Sequence, residues 1–158
     1  MKRKLGFSLL LVVLLVGVDF FLAAGQAALA KQRLVIVANN KFPLDSIEST
    51  SLRRIFLKKL GRISGVALHP CNLKRKTDAR SLFENNVLRM SPTRLKRLWL
   101  KNRLAGLAKP PVTARNVKSL ISYLSKNKGA ISYLLLRDWE KVGSNSKSRL
   151  KKLKIFNF

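Results

Sequence analysis

The residues best able to do chemistry are a run of cations, Lys74-Arg75-Lys76, followed by Thr77 and then Arg80. A basic loop that opens a helix offers an anion two kinds of partner. One is the set of unpaired backbone N–H groups at the helix start, where the dipole contributes about +0.5 charge. The other is the cationic side chains: Lys74, Lys76 and Arg80 would surround the ion, and Arg80 can present two parallel N–H groups to two oxygens. Thr77 would cap the helix or donate its hydroxyl, whereas Asp78 in the first turn suits the dipole and opposes the anion. A solvated basic loop with a structural cap is the other reading of the same residues.

Other chemistry is sparse. His69 is the sole histidine and Cys71 the sole cysteine, so no histidine pair or Cys-His cluster can hold a metal and no internal disulfide can form. Cys71 reads as a small, semi-buried apolar side chain rather than a reactive thiol. Asp45 with Glu48, and Asp138 with Glu140, read as loop or helix-end surface groups, not as an acid/base couple. No Gly-x-Ser-x-Gly elbow accompanies them. The chain is therefore expected to be non-enzymatic, with no catalytic residue, metal or cofactor.

The elements that must position these residues can be read from periodicity. Arg33 to Ala38 is a near-continuous apolar run and predicts a strand buried on both faces, as in a parallel sheet. From about Thr50 a helix places Leu52, Ile55 and Phe56 on one face, and Gly61 is placed to end it in a left-handed cap. Val66 to His69 reads as a short strand closed by Pro70. Thr77 or its neighbour then starts a helix with Ala79, Leu82, Phe83 and Val87 as its stripe. Ser91-Pro92 opens another, a capping hydroxyl with proline at the first helical position, with Leu95, Leu98 and Trp99 inward. Gly106 to Pro111 is a connecting loop. Thr113 is read as the cap of a fourth helix carrying Val117, Leu120, Ile121 and Leu124, which ends at Gly129. Ala130 to Leu136 reads as a strand, Ser144 to Ser148 as a polar break. Leu150 to Phe158 reads as an edge strand with Leu153 and Ile155 opposite Lys152 and Lys154. Strands interleaved with helices predict a layered α/β domain with a partly parallel sheet.

Three pieces in a fixed order give this pattern a family likeness: Leu52–Lys59 with Ile55-Phe56, Gly106 and Pro110-Pro111 after a Trp99-bearing basic helix, and Lys128-Gly129-Ala130-Ile131-Ser132-Tyr133. Over roughly residues 33 to 135 the chain resembles the periplasmic phosphate-binding proteins, the substrate-binding components of phosphate ABC transporters. Serine stands at 132 where the family's Gly-x-Ile-x-Tyr motif carries a second glycine, and Lys74–Asp78 occupies the place of a Ser-Gly-Thr loop. The resemblance implies a three-layer αβα lobe of the type II periplasmic binding fold with a mixed sheet. A full-length member has two lobes closing over the anion, and this chain has room for about one. Asn39, at the end of the first strand, joins Lys74, Lys76, Thr77 and Arg80 as the candidate ligand set, for inorganic phosphate or another anion. The partner implied is a membrane transporter. The alternative is a basic envelope module that keeps the fold without the ligand and contacts a membrane surface, an anionic polymer or a partner protein.

Charge and the amino-terminal segment complete the reading. Lys2, Arg3 and Lys4 precede an apolar run, and Ala28-Leu29-Ala30 offers a small-x-small cleavage site. Residues 1–30 thus read as a cleavable secretory signal and 31–158 as one periplasmic domain. An uncleaved inner-membrane anchor is the other reading, opposed by Asp19, a carboxylate costing about 2.5–3.5 kcal/mol at a bilayer centre. Cleavage would leave 30 basic and 6 acidic side chains, net +24. That excess attracts anions of any kind. Residues 78–89 and 92–104 could mimic a helix-turn-helix with Arg94, Arg97, Lys101 and Arg103 on phosphates. Export separates the protein from a genome, however, and its aromatic residues lie on apolar stripes, so specific nucleic-acid recognition is not expected.

Overall fold

Six successive buried residues, Leu34 to Asn39, form the spine of the molecule. The computed structural model describes residues 32–158; the signal segment expected at 1–30 lies outside the described residues. The elements follow in the order β1 (Arg33–Asn39), α1 (Ser49–Phe56), β2 (Arg62–Ile63), β3 (Val66–Ala67), β4 (His69–Leu73) and α2 (Asp78–Leu82), which runs into a π turn (Phe83–Val87). Next come α3 (Pro92–Leu104), β5 (Val112–Ala114), α4 (Val117–Lys126), β6 (Ala130–Leu135), α5 (Leu136–Glu140), α6 (Ser144–Lys147) and β7 (Leu150–Asn157). Residues 33–158 form one unit around a single core cluster.

Five strands make one mixed sheet in the order β5-β4-β6-β1-β7, and β2 with β3 forms a separate small hairpin. β4 runs parallel to both β5 and β6, whereas β1 is antiparallel to β6 and β7. The parallel setting expected for the first strand is thus corrected. Its apolar run comes from being covered on both faces, and such a run looks the same whichever way the neighbours point. From β4 the chain crosses through α2 and α3 to β5 on one side. It then returns through α4, past β4, to β6 on the other. Right-handed crossovers travelling in opposite directions lay their helices on opposite faces, which yields the expected three layers.

An aromatic trio joins the layers on one face. The Phe83 ring stacks on Tyr133 at 4.0 Å, and Phe56 of α1 lies 4.6 Å from Phe83. The Tyr133 hydroxyl donates to Asn72 Oδ1 at 3.1 Å, so a buried polar pair is satisfied inside the apolar cluster. Pro70 does not close a strand, as its lack of an N–H had implied, but sits within β4 opposite Ile131. Beyond that pair the ladder between β4 and β6 stops, and the Ser132 hydroxyl donates to the Cys71 carbonyl at 2.7 Å. Serine at 132 therefore has a structural role: it satisfies a carbonyl that a glycine there would leave to other partners.

Several local expectations change for equally local reasons. Lys58, at φ +58°, is the left-handed residue after α1, and its N–H bonds the Ile55 carbonyl at 3.0 Å; Gly61 has ordinary φ. Asn116, not Thr113, caps α4 through a reciprocal pair with Ser119, while Thr113 lies in β5. The Ser144–Ser148 break contains the short helix α6. An irregularity opposite Ile36 and Val37 shifts the β7 register, so Leu153 is buried but Ile155 is 44% exposed. That bulge turns the predicted alternation over partway along the strand.

Candidate functional site

In a parallel sheet, ligands gather outside the carboxyl ends of the strands, where successive crossovers leave for opposite faces. Here that place lies at the ends of β4, β5 and β6. The crossover from β4 departs toward α2, and that from β5 toward α4 on the other face. A cleft of about 420 Å3 occupies the position, lined by Lys76 to Ala79 after β4, Arg115 to Val117 after β5, and Arg137 with Asp138 after β6.

Each segment reaches the cleft for a sequence reason. Lys76 takes a left-handed conformation at φ +66°, turning the chain so that Thr77 starts α2. The Thr77 hydroxyl donates back to the Lys74 carbonyl at 2.9 Å and does not cap the helix. This bond closes the basic turn and leaves the first N–H groups of α2 without a side-chain acceptor from Thr77. Arg115 immediately precedes the Asn116 cap of α4. There the Asn116 Oδ1 accepts from Ser119 N at 2.8 Å, so the start of α4 is satisfied internally. Arg137 lies in the first turn of α5, which follows β6 without an intervening loop.

The cleft is mixed in charge. Lys76, Arg115 and Arg137 supply cations; Asp78 and Asp138 line the same space. Arg137 Nη2 meets Asp78 Oδ2 at 3.1 Å, with both side chains about three-fifths exposed. A pair so open to water contributes little to stability, so either partner can exchange it for another ion. Both carboxylates lie in first helical turns, favourable to the dipole and unfavourable to an arriving anion.

The five residues expected to bind ligand divide sharply. Lys76 and Thr77 line the cleft. Lys74 is exposed in the same turn. Arg80 turns away into a partly buried network: its Nε donates to Glu84 Oε1 and its Nη1 to the Leu73 carbonyl, each at 2.7 Å. Those bonds consume the fork that was to meet two anion oxygens, and they keep the buried Glu84 paired. Asn39 lies at the opposite end of the sheet. β1 is antiparallel to β6, so its carboxyl end sits beside the amino ends of β4 and β6. The Asn39 amide donates to the Leu124 carbonyl at 2.7 Å and its oxygen accepts from Lys41 N at 2.9 Å, tying β1 to the end of α4. The structure therefore brings together Lys76, Thr77, Arg115 and Arg137. The two arginines were missed because they are distant in sequence. Arg137 at least follows a strand legible in the sequence, whereas β5, which precedes Arg115, reads there as a loop and a helix cap and gave no signal.

Cys71 is wholly buried, and desolvation pushes its thiol up to about 11. Among the described residues no cluster of His, Cys, Asp or Glu could hold a metal ion, and no helix is long and apolar enough to cross a membrane.

No protein-family model matches the sequence, and no curated protein matches it. Solved structures do. One is a Clostridium perfringens protein assigned as a phosphate ABC transporter substrate-binding protein, with bound phosphate, at TM-score 0.59 and 12% identity over 79% of this chain. Another is PstS from Borrelia burgdorferi, at 0.58 and 13% over 79%. A third is an ABC-type phosphate transport receptor from Vibrio cholerae, at 0.57 and 11% over 78%. This chain covers only 45%, 47% and 46% of those chains respectively. The described domain has the fold of a single lobe of the phosphate ABC transporter substrate-binding proteins.

Proposed function

We propose that this chain is an exported, non-enzymatic domain that binds phosphate or a related oxyanion through one lobe, in the service of ABC-type uptake. The observation that carries the reading is the convergence of Lys76, Arg115 and Arg137 on one cleft at the carboxyl ends of β4, β5 and β6. An anion there meets N–H groups at the start of α2 and guanidinium forks from Arg115 after β5 and Arg137 in the first turn of α5. The opposing carboxylates of Asp78 and Asp138 make the affinity modest. Periplasmic location fits the signal pattern of residues 1–30, and the likeness to transport receptors supports uptake as the context.

A second reading, a basic envelope module without a ligand, is favoured by one specific observation. Arg80, the residue best suited to bidentate anion binding, is committed to Glu84 and Leu73. Isothermal titration of residues 32–158 with orthophosphate at constant ionic strength separates the two. The first reading expects saturable heat that chloride does not reproduce and that Arg115→Ala with Arg137→Ala removes. Equal heats with any anion, or none at millimolar phosphate, leave the second reading.

A further inference from the structure

Four of the five large hydrophobic side chains exposed among the described residues lie between positions 100 and 112: Leu100 at 45%, Leu104 at 80%, Leu107 at 62% and Val112 at 54%. The first two belong to α3, which has two different walls. On one wall Leu95 is buried and Leu98 and Trp99 are half-buried against the domain. Leu100 and Leu104, one turn apart, form a ridge on the opposite wall. At 100° per residue, Lys96 and Arg103 fall along one flank of that ridge, and Arg97 and Lys101 along the other. The segment has no compensating acid: from Asn85 to Ile131, and on to Arg137, the sequence contains no carboxylate side chain.

We propose that this outer face of α3, with the turn carrying Leu107, docks on an anionic lipid surface. The leucine ridge enters the boundary between headgroups and acyl chains, about 5–10 Å deep for an interfacial helix. The cations on both flanks extend their stems along it and meet headgroup phosphates. Charge complementarity and the ridge together select this occupant. A nucleic acid or acidic polymer would engage the cations but leave Leu100, Leu104 and Leu107 in water. A second copy of the chain would press like charges together. The inference is independent of the anion cleft, which α3 does not line.

Vesicle flotation tests it, using residues 32–158, since that unit closes its own core and excludes the apolar leader from the readout. Vesicles of phosphatidylcholine containing one quarter phosphatidylglycerol should carry the protein; pure phosphatidylcholine should carry much less. Leu100→Ser with Leu104→Ser keeps every charge and alters only exposed side chains. It should lower partitioning by about tenfold or more, with thermal melting unchanged. Gln in place of Lys96, Arg97, Lys101 and Arg103 should lower it as well. The idea is overturned if the serine variant floats as well as the wild type, since bulk charge then accounts for binding. It is equally overturned if the wild type fails to float. Concentration-dependent self-association that the serine substitutions abolish, without flotation, would make the face a protein contact instead.

Discussion

Gly129 can be replaced only at the expense of the fold, and the size of that effect can be worked from its neighbours. It stands at the entrance to β6, where its carbonyl accepts from His69 N at 2.9 Å and starts the parallel pairing with β4. A methyl group added there would overlap the Ala67 carbonyl oxygen, with the Ala67 carbonyl carbon at 3.0 Å and Val66 Cγ1 at 3.3 Å. Backbone, not a flexible side-chain tip, is in the way, so β3 must move. Overpacking of this kind costs about 1–3 kcal/mol, and losing the His69–Gly129 bond adds about 0.5–1.5 kcal/mol. Reduced freedom of the unfolded chain offsets about 0.4–1 kcal/mol. Gly129→Ala should therefore destabilise by about 2 kcal/mol, measured by urea unfolding at 25 °C. Gly61→Ala is the control. Nothing lies within 4 Å of a Cβ there, so the same substitution should be neutral or stabilise by up to about 1 kcal/mol. If both variants unfold within about 0.5 kcal/mol of the wild type, the close approach of β3 to β6 is not real. A large loss from Gly61→Ala would restore it as the required cap.

Two further outcomes follow from single residues. Lys58→Gly should raise the urea midpoint, by about 1 kcal/mol in free energy, because the left-handed conformation at φ +58° penalises every side chain with a Cβ. For Cys71, whose folded pKa is raised from 9.0 to about 11, stability is fully present below pH 9 and lost as pH rises toward 11. Two units correspond to about 3 kcal/mol; Tyr133, also raised by burial, adds loss in the same direction at higher pH. Urea unfolding of the wild type and Cys71→Ala across that range checks this, the variant showing the smaller alkaline loss. Native Cys71 should also resist Ellman's reagent at pH 8 until urea unfolds the chain.

Much of the fold was legible because it rests on local rules. The stripe of Leu120, Ile121 and Leu124, the Ser91-Pro92 start and the Gly129–Tyr133 strand entry all stand where periodicity and capping chemistry put them. Half of the candidate site was legible for the same reason: Lys76 and Thr77 lie together in one turn. Asn39 and Arg80 were misassigned because sequence gives a polar residue's position and not its partner. Glu84 lies one helical turn past Arg80 and claims it, and the Leu124 carbonyl claims Asn39 across 85 positions.

What the residues alone determined, then, are the longer strands and helices and the excess of positive charge, since both follow from side-chain type and spacing. Strand direction and order were decided only by tertiary packing. A strand buried on both faces carries no mark of which way its neighbours run, and helices above and below satisfy it equally in either sense. That choice sent the carboxyl end of β1 to one end of the sheet and gathered Lys76, Arg115 and Arg137 at the other. The cleft exists because three chain-distant segments leave parallel strands at the same end.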